Sequence, residues 1–173
     1  MKSSLVLRKL TATDESAFFR AHALWNDPRL LFASAYRPGM PFPELLTALE
    51  DCAAGKNLLP GKVADTVVFG FVDGGIVGRL SIRHELNEFL RTIGGHIGYG
   101  VLEEHRRRGY ATEMLRQSLP MARAIGIDRA LLTCDDDNAA SFKTIESCGG
   151  ILENKVMDED RRVLKRRYWI DLY

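Results

Sequence analysis

The chain reads as an α+β fold, a mixed sheet of about six or seven strands flanked by helices, and three observations lead there. Residues 66–72 and 76–83 are β-branched, aromatic-rich runs separated by Asp73-Gly74-Gly75, a hairpin signal in which the glycines supply positive φ. Residues 96–101, 112–124 and 129–134 read as strand, amphipathic helix and strand, and strands joined through a helix run parallel. The last 24 residues, from Gly150, read as two further strands around a charged turn at 158–162.

The remaining elements follow in chain order. Residues 5–8 alternate well enough for a first strand, and Thr13-Asp14 looks like a cap before a helix over 15–24. Asn26-Asp27-Pro28 breaks that helix, and a loop rich in proline and aromatics follows to Pro43. Residues 44–54 are helical again, with Leu45, Leu46, Leu49 and Cys52 on neighbouring faces, and 55–65 is loop. The stretch 85–92 is a short helix or loop. In the helix over 112–124, Met114, Leu115, Leu119, Ala122 and Ile125 form a core-facing stripe, and Gly126 ends it. A helix over 139–148 starts after Asn138 and is closed by Gly149-Gly150.

A chain of 173 residues, 46% hydrophobic, suits one domain over 1–173. A net charge of +1 demands neither nucleic acid nor membrane as partner. Cys52, Cys134 and Cys148 are an odd, unclustered set, which argues against a disulfide framework or a metal site and for a reducing compartment. The run from Met1 to Arg8 offers only three apolar residues before a charge, and no run reaches the length of a membrane span, so the expected location is the cytoplasm.

The chemistry concentrates at Arg106-Arg107-Arg108-Gly109-Tyr110-Ala111, between a strand and a helix start. Unpaired N–H groups, the positive end of the helix dipole and a glycine that admits close approach make such a turn an anion site. The spacing Arg106-x-x-Gly109-x-Ala111 after Val101 resembles the acyl-CoA pyrophosphate loop of the GNAT superfamily of N-acetyltransferases, Gln/Arg-x-x-Gly-x-Gly/Ala. The likeness continues through the strand at 129–134 to Asn138-Ala139-Ala140-Ser141, which is similar to the Asn-x-x-Ala/Ser that opens the superfamily's next helix. It is best from Val67 to Gly149. The strands containing Gly78-Arg79-Leu80-Ser81-Ile82-Arg83-His84 and Gly94-Gly95-His96-Ile97-Gly98-Tyr99 also resemble those of uncharacterised acetyltransferases.

The resemblance implies a splayed pair of parallel strands enclosing acetyl-CoA as co-substrate, with no metal. It implies that Arg106, Arg107, Arg108, Gly109, Tyr110, Ala111 and Thr112 hold the pyrophosphate. Tyr99, Gly100 and Val101 would present a strand edge to the pantetheine arm, and Asn138, also an N-cap candidate, would approach it from across the splay. The implied reaction is direct attack of a primary amine, from a small molecule or a protein, on the thioester; a homodimer is the expected self-association, if any. Such an amine must lose a proton, and the candidate bases are His96, His84, Glu85 and Glu103. Simple alternation sets His96 on the face opposite Ile97, Tyr99 and Val101, and a structural role competes with catalysis there.

The chain departs from the superfamily pattern in two places. A tyrosine that acts as general acid seven residues beyond the asparagine is Ile145, which leaves Tyr99 or water as donor, or no donor. The phenylalanine that often follows the closing glycine is Gly150. These losses keep open a second reading, a non-catalytic acyl-CoA-binding or interaction protein. Neither Gly55-Lys56 nor Gly61-Lys62 completes a P-loop, Gly98-Tyr99-Gly100 lacks the third glycine of a dinucleotide fingerprint, and no G-x-S-x-G occurs.

Overall fold

A computed structural model describes residues 4–173; the expectation drawn from the run beginning at Met1 lies partly outside them. The elements are β1 (Val6–Arg8), α1 (Glu15–Leu24), α2 (Phe42–Ala53), β2 (Asp65–Val72), β3 (Gly75–Arg83), β4 (Ile97–Val101), α3 (Tyr110–Ile125), β5 (Arg129–Asp135), α4 (Ala139–Ser147), β6 (Ile151–Asp158) and β7 (Val163–Asp171). They form two antiparallel sheets flanked by helices, in the orders β1-β2-β3-β4 and β5-β7-β6. The α+β class and the seven strands are as expected. No ladder joins β4 to β5, so the parallel neighbours of the βαβ unit stand apart as two sheet edges.

Apolar residues alternate across the sheets and build a core on each face. Val68, Leu80, Ile82, Ile97 and Leu132 pack against Met114 and Leu115 of α3 on one side. Val67, Phe69 and Phe71 turn to the other side, where Phe18 of α1, Phe42 and Leu45 of α2 and Phe32 cover them. Phe18 is fully buried, with its ring 6.0 Å from that of Phe69 and 5.8 Å from that of Phe42.

Local signals differ in two places. The hairpin turn places Asp73 (φ 49°) and Gly74 (φ 77°) in the left-handed region, and Gly75 already begins β3 opposite Val72, a two-residue turn. The start of α1 is delayed by a 3-10 turn, Ala12–Asp14. Asp14 does not cap α1 with its side chain. It instead accepts from Thr11 N and Thr11 Oγ1 and pairs with Arg8 at 2.7 Å.

Candidate active site

Backbone hydrogen bonding passes from one sheet to the other at His96. His96 donates its backbone N–H to Leu131 O at 2.7 Å and accepts from Leu131 N through Nδ1 at 2.9 Å, while its carbonyl accepts from Arg83 N on β3. Gly95 is required beside it, because a Cβ there would lie 2.6 Å from the Leu131 carbonyl oxygen. His96 is 8% exposed, and burial, with Arg83 and Arg91 nearby, lowers its pKa to about 4. The imidazole is therefore a neutral acceptor splicing β4 to β5, and such a ring is a weak base.

Past this junction β4 is the outer strand of its sheet. Arg83 N donating to His96 O and Leu102 N donating to Val77 O fix the alternation, so even-numbered residues face β3. Ile97, Tyr99 and Val101 turn their backbone groups to the open edge, whereas Gly100 pairs with Arg79 and keeps its own toward β3. Of the three strand residues expected at the cofactor, Tyr99 and Val101 offer an edge; Gly100 offers a bare face, against which the Trp25 ring lies 2.6 Å from where a Cβ would be. The Tyr99 hydroxyl reaches Ser141 of α4, 3.2 Å from Oγ, and burial raises its pKa.

At the end of β4 the chain passes a short 3-10 turn, Glu103–His105, and enters the arginine turn. Arg106 folds back and donates from Nε to Val101 O at 3.2 Å. Arg107 (φ 60°) and Gly109 (φ 82°) are both left-handed, and Gly109 is the N-cap of α3 with no side-chain cap. Alternation of this kind turns successive N–H groups to one side, and the first-turn N–H groups of α3 at Tyr110, Ala111 and Thr112 have no intrahelical partner. Nothing lies within 4 Å of a Cβ built on Gly109, so the space before the helix is open. The turn thus offers an anion open space, positive charge and unpaired N–H donors.

Across the gap, Asn138 caps α4 with Oδ1 accepting from Ser141 N at 3.1 Å. The other candidate bases are engaged elsewhere or exposed. His84 contacts Thr66 Oγ1 on β2 at 2.8 Å, Glu85 is exposed beyond it, and exposed Glu103 accepts from Asn26 Nδ2 at 2.8 Å. Burial raises the pKa of Cys134 to about 11 and raises that of Cys148, so neither thiol is activated as a nucleophile.

Residues 4–151 match the family model for the acetyltransferase (GNAT) domain. The chain belongs to the GNAT acetyltransferases. Solved structures with the same fold include the yncA protein of Salmonella typhimurium with its cofactor acetyl-CoA, 15% identical with a TM-score of 0.63 over 98% of this chain and 94% of that one. A chimera of Vibrio cholerae spermidine N-acetyltransferase SpeG with hSSAT is 19% identical, with a TM-score of 0.67 over 98% and 96%. An N-acetyltransferase from Staphylococcus aureus is 16% identical, with a TM-score of 0.63 over 99% and 100%. Likeness at this identity carries the fold. A search of curated proteins finds no match.

Within the GNAT frame the two departures are one packing event. Ile145 is fully buried in the core between α3 and the sheets, and Gly150 sits directly on it. A Cβ at position 150 would collide with Ile145 Cγ2 and lie 2.9 Å from the Ile145 carbonyl oxygen. Sequence reasoning missed a further pair, Arg79 and Arg83. Two arginines four residues apart on one face of an otherwise apolar strand were the available signal.

Proposed function

We propose that the protein transfers an acetyl group from acetyl-CoA to a primary amine by direct attack. The observation that carries this reading is the uncapped start of α3, opened by two left-handed residues and aligned after the edge of β4, where no strand pairs and only Val101 O is taken, by Arg106. Backbone N–H groups from Arg107 to Thr112, with the charge of Arg106, Arg107 and Arg108, hold the pyrophosphate. The edge at Tyr99 and Val101 takes the pantetheine amides as a neighbouring strand would, and an N–H of that edge polarises the thioester carbonyl. Asn138 flanks the arm from α4.

None of the four candidate bases is assigned the amine proton. His96 spends Nδ1 on Leu131 and is too weak a base, His84 is turned to Thr66, Glu103 is engaged by Asn26 and Glu85 is exposed; the proton passes to bulk solvent through water in the cleft. The Tyr99 hydroxyl is committed to Ser141, so the thiolate, whose conjugate thiol has a pKa of about 8.5 by analogy with cysteine, departs without a protein acid. Raised thiol pKa values at Cys134 and Cys148 support direct attack over an acetyl-cysteine route.

The test has two arms. Calorimetry with acetyl-CoA should show affinity falling about tenfold or more in Gly109→Val, where a β-branched side chain at positive φ blocks the approach of the anion; unchanged affinity in a folded variant refutes the loop assignment. Thiol release over a panel of amines tests catalysis. Tight acetyl-CoA binding without turnover of any amine supports the binding-module alternative, which the loss of the acid tyrosine at Ile145 keeps in view.

A further inference from the structure

A cavity of about 760 Å³ lies on the face of β2 and β3 opposite α3, under α2 and the loops before and after it. Strand alternation and register set Arg79, Ser81 and Arg83 of β3 on this face, with Asp65 of β2 beside Arg83 and Gly98 of β4 beside Ser81. Arg79 is 2% exposed, and its Nε and Nη1 are taken by Phe32 O and Ser81 Oγ. Arg83 Nη1 is taken by the carbonyls of Gly94 and Gly95. Among the described residues no hydrogen bond is made by Nη2 of Arg79 or by Nε and Nη2 of Arg83.

Two guanidiniums at the floor of a cavity call for a counter-charge, since buried charge without a partner is costly. The protein supplies too little of it. Asp65 is the carboxylate that faces them, yet it forms no ion pair with either arginine within 4.0 Å, its Oδ1 has no partner, and burial raises its pKa. The mouth adds positive charge. Lys56 and Lys62 make no ion pair among the described residues, whereas Glu44 is paired with Arg37 at 3.1 Å and Asp51 accepts from Asn57 at 3.1 Å.

We propose that this cavity is the acceptor site and that Arg79 and Arg83 bind the carboxylate of a small amino-carboxylate acceptor. The proposal rests on the acetyl-transfer reading and names its substrate class. Guanidinium forks match a carboxylate in plane and in donor spacing. Gly98 lies between the arginines and the open edge of β4, and the Arg83 guanidinium rests against it, Nη1 and Nη2 each 3.5 Å from where a Cβ would stand, so the fork sits one strand from that edge. Strands lie about 4.8 Å apart, so an amine a few bonds from a carboxylate held on β3 reaches the edge of β4 where the thioester would lie. A polyamine would instead bring ammonium groups against two fixed cations.

The experiment measures thiol release from acetyl-CoA with each amino acid beside its carboxamide, and with spermidine. At least one amino acid should exceed its carboxamide about tenfold or more in kcat/KM, and Arg83→Gln should raise the KM of that amino acid by a similar factor with partial rescue by Arg83→Lys. Preference for carboxamides or spermidine, or an Arg83→Gln loss equal for both members of each pair, overturns the proposal and leaves acetyl transfer standing. Saturation-transfer NMR of the same amino acids, with CoA present, separates the two readings. Binding that Arg83→Gln abolishes, without turnover of any amine, keeps the carboxylate site and removes the transferase; absence of both binding and turnover of the amino acids overturns the carboxylate site, and acetyl transfer is then decided by the wider amine panel. The comparison of matched acceptors needs no variant, so a poorly folded substitution does not decide it.

Discussion

At His96 a single side chain joins two sheets, and this makes its protonation a structural event. Nδ1 must stay unprotonated to accept from Leu131 N–H, and burial enforces this by lowering the pKa to about 4. The folded value lies below the unfolded one near 6.5, so the folded chain binds the proton less well. Its contribution to stability is full above pH 6.5 and is lost as pH falls toward 4. His96→Asn retains an acceptor that does not titrate, so its urea midpoint should fall less steeply from pH 7 to 4.5 than that of the unaltered chain. His96→Ala leaves Leu131 N–H buried and unpaired, at about 1–3 kcal/mol. Identical pH slopes in all three proteins would remove the junction from the account.

At the scale of elements, α4 and the turn after it show why the superfamily's aromatic pair is absent. Gly149 (φ 89°) ends the helix, Gly150 N returns to Ile145 O at 3.0 Å, and the chain then lies flat on the Ile145 side chain. Gly150→Ala should cost about 1–3 kcal/mol by overpacking. Combined with Ile145→Ala it should cost less than the two single changes together, because the Cγ2 that the added methyl would strike is then gone. Strict additivity in urea denaturation would mean that the two positions are independent. Local signals of this kind were legible beforehand: Gly126 as a left-handed stop, Asn138 as a cap and the strand-turn-helix around Gly109 are sequence-local and have local physical causes. The 3-10 turn at Ala12–Asp14 was not legible, because Asp14 answers to Arg8 as well as to Thr11. The parting of β4 from β5 was expected only through family likeness, since period-two alternation carries no information about which distant strand is a partner. Arg79 and Arg83 became visible as a site only when α2 and the loops beside it closed a cavity over them.

For the whole molecule, the two sheets form a cleft that is hydrogen-bonded at one end and open along the rest of β4, and the cofactor reading requires that opening to be filled by another backbone-like edge. Register then assigns a different fate to alternate amides. Gly98 and Gly100 face β3, paired with Ser81 and Arg79, and are protected by the sheet whether or not ligand is present. Tyr99 and Val101 face the gap, so their amides should exchange fast in the free protein. Saturating acetyl-CoA should slow Tyr99 and Val101 by about tenfold or more, as pantetheine amides take the place of a neighbouring strand, and should leave Gly98 and Gly100 nearly unchanged. The amides of Tyr110, Ala111 and Thr112 should slow with them, because the same ligand would bind at the start of α3. Residue-resolved hydrogen exchange by NMR checks the pattern directly. Protection spread evenly over all four β4 residues would mean general tightening, and protection at α3 without Tyr99 and Val101 would place the arm outside the splay.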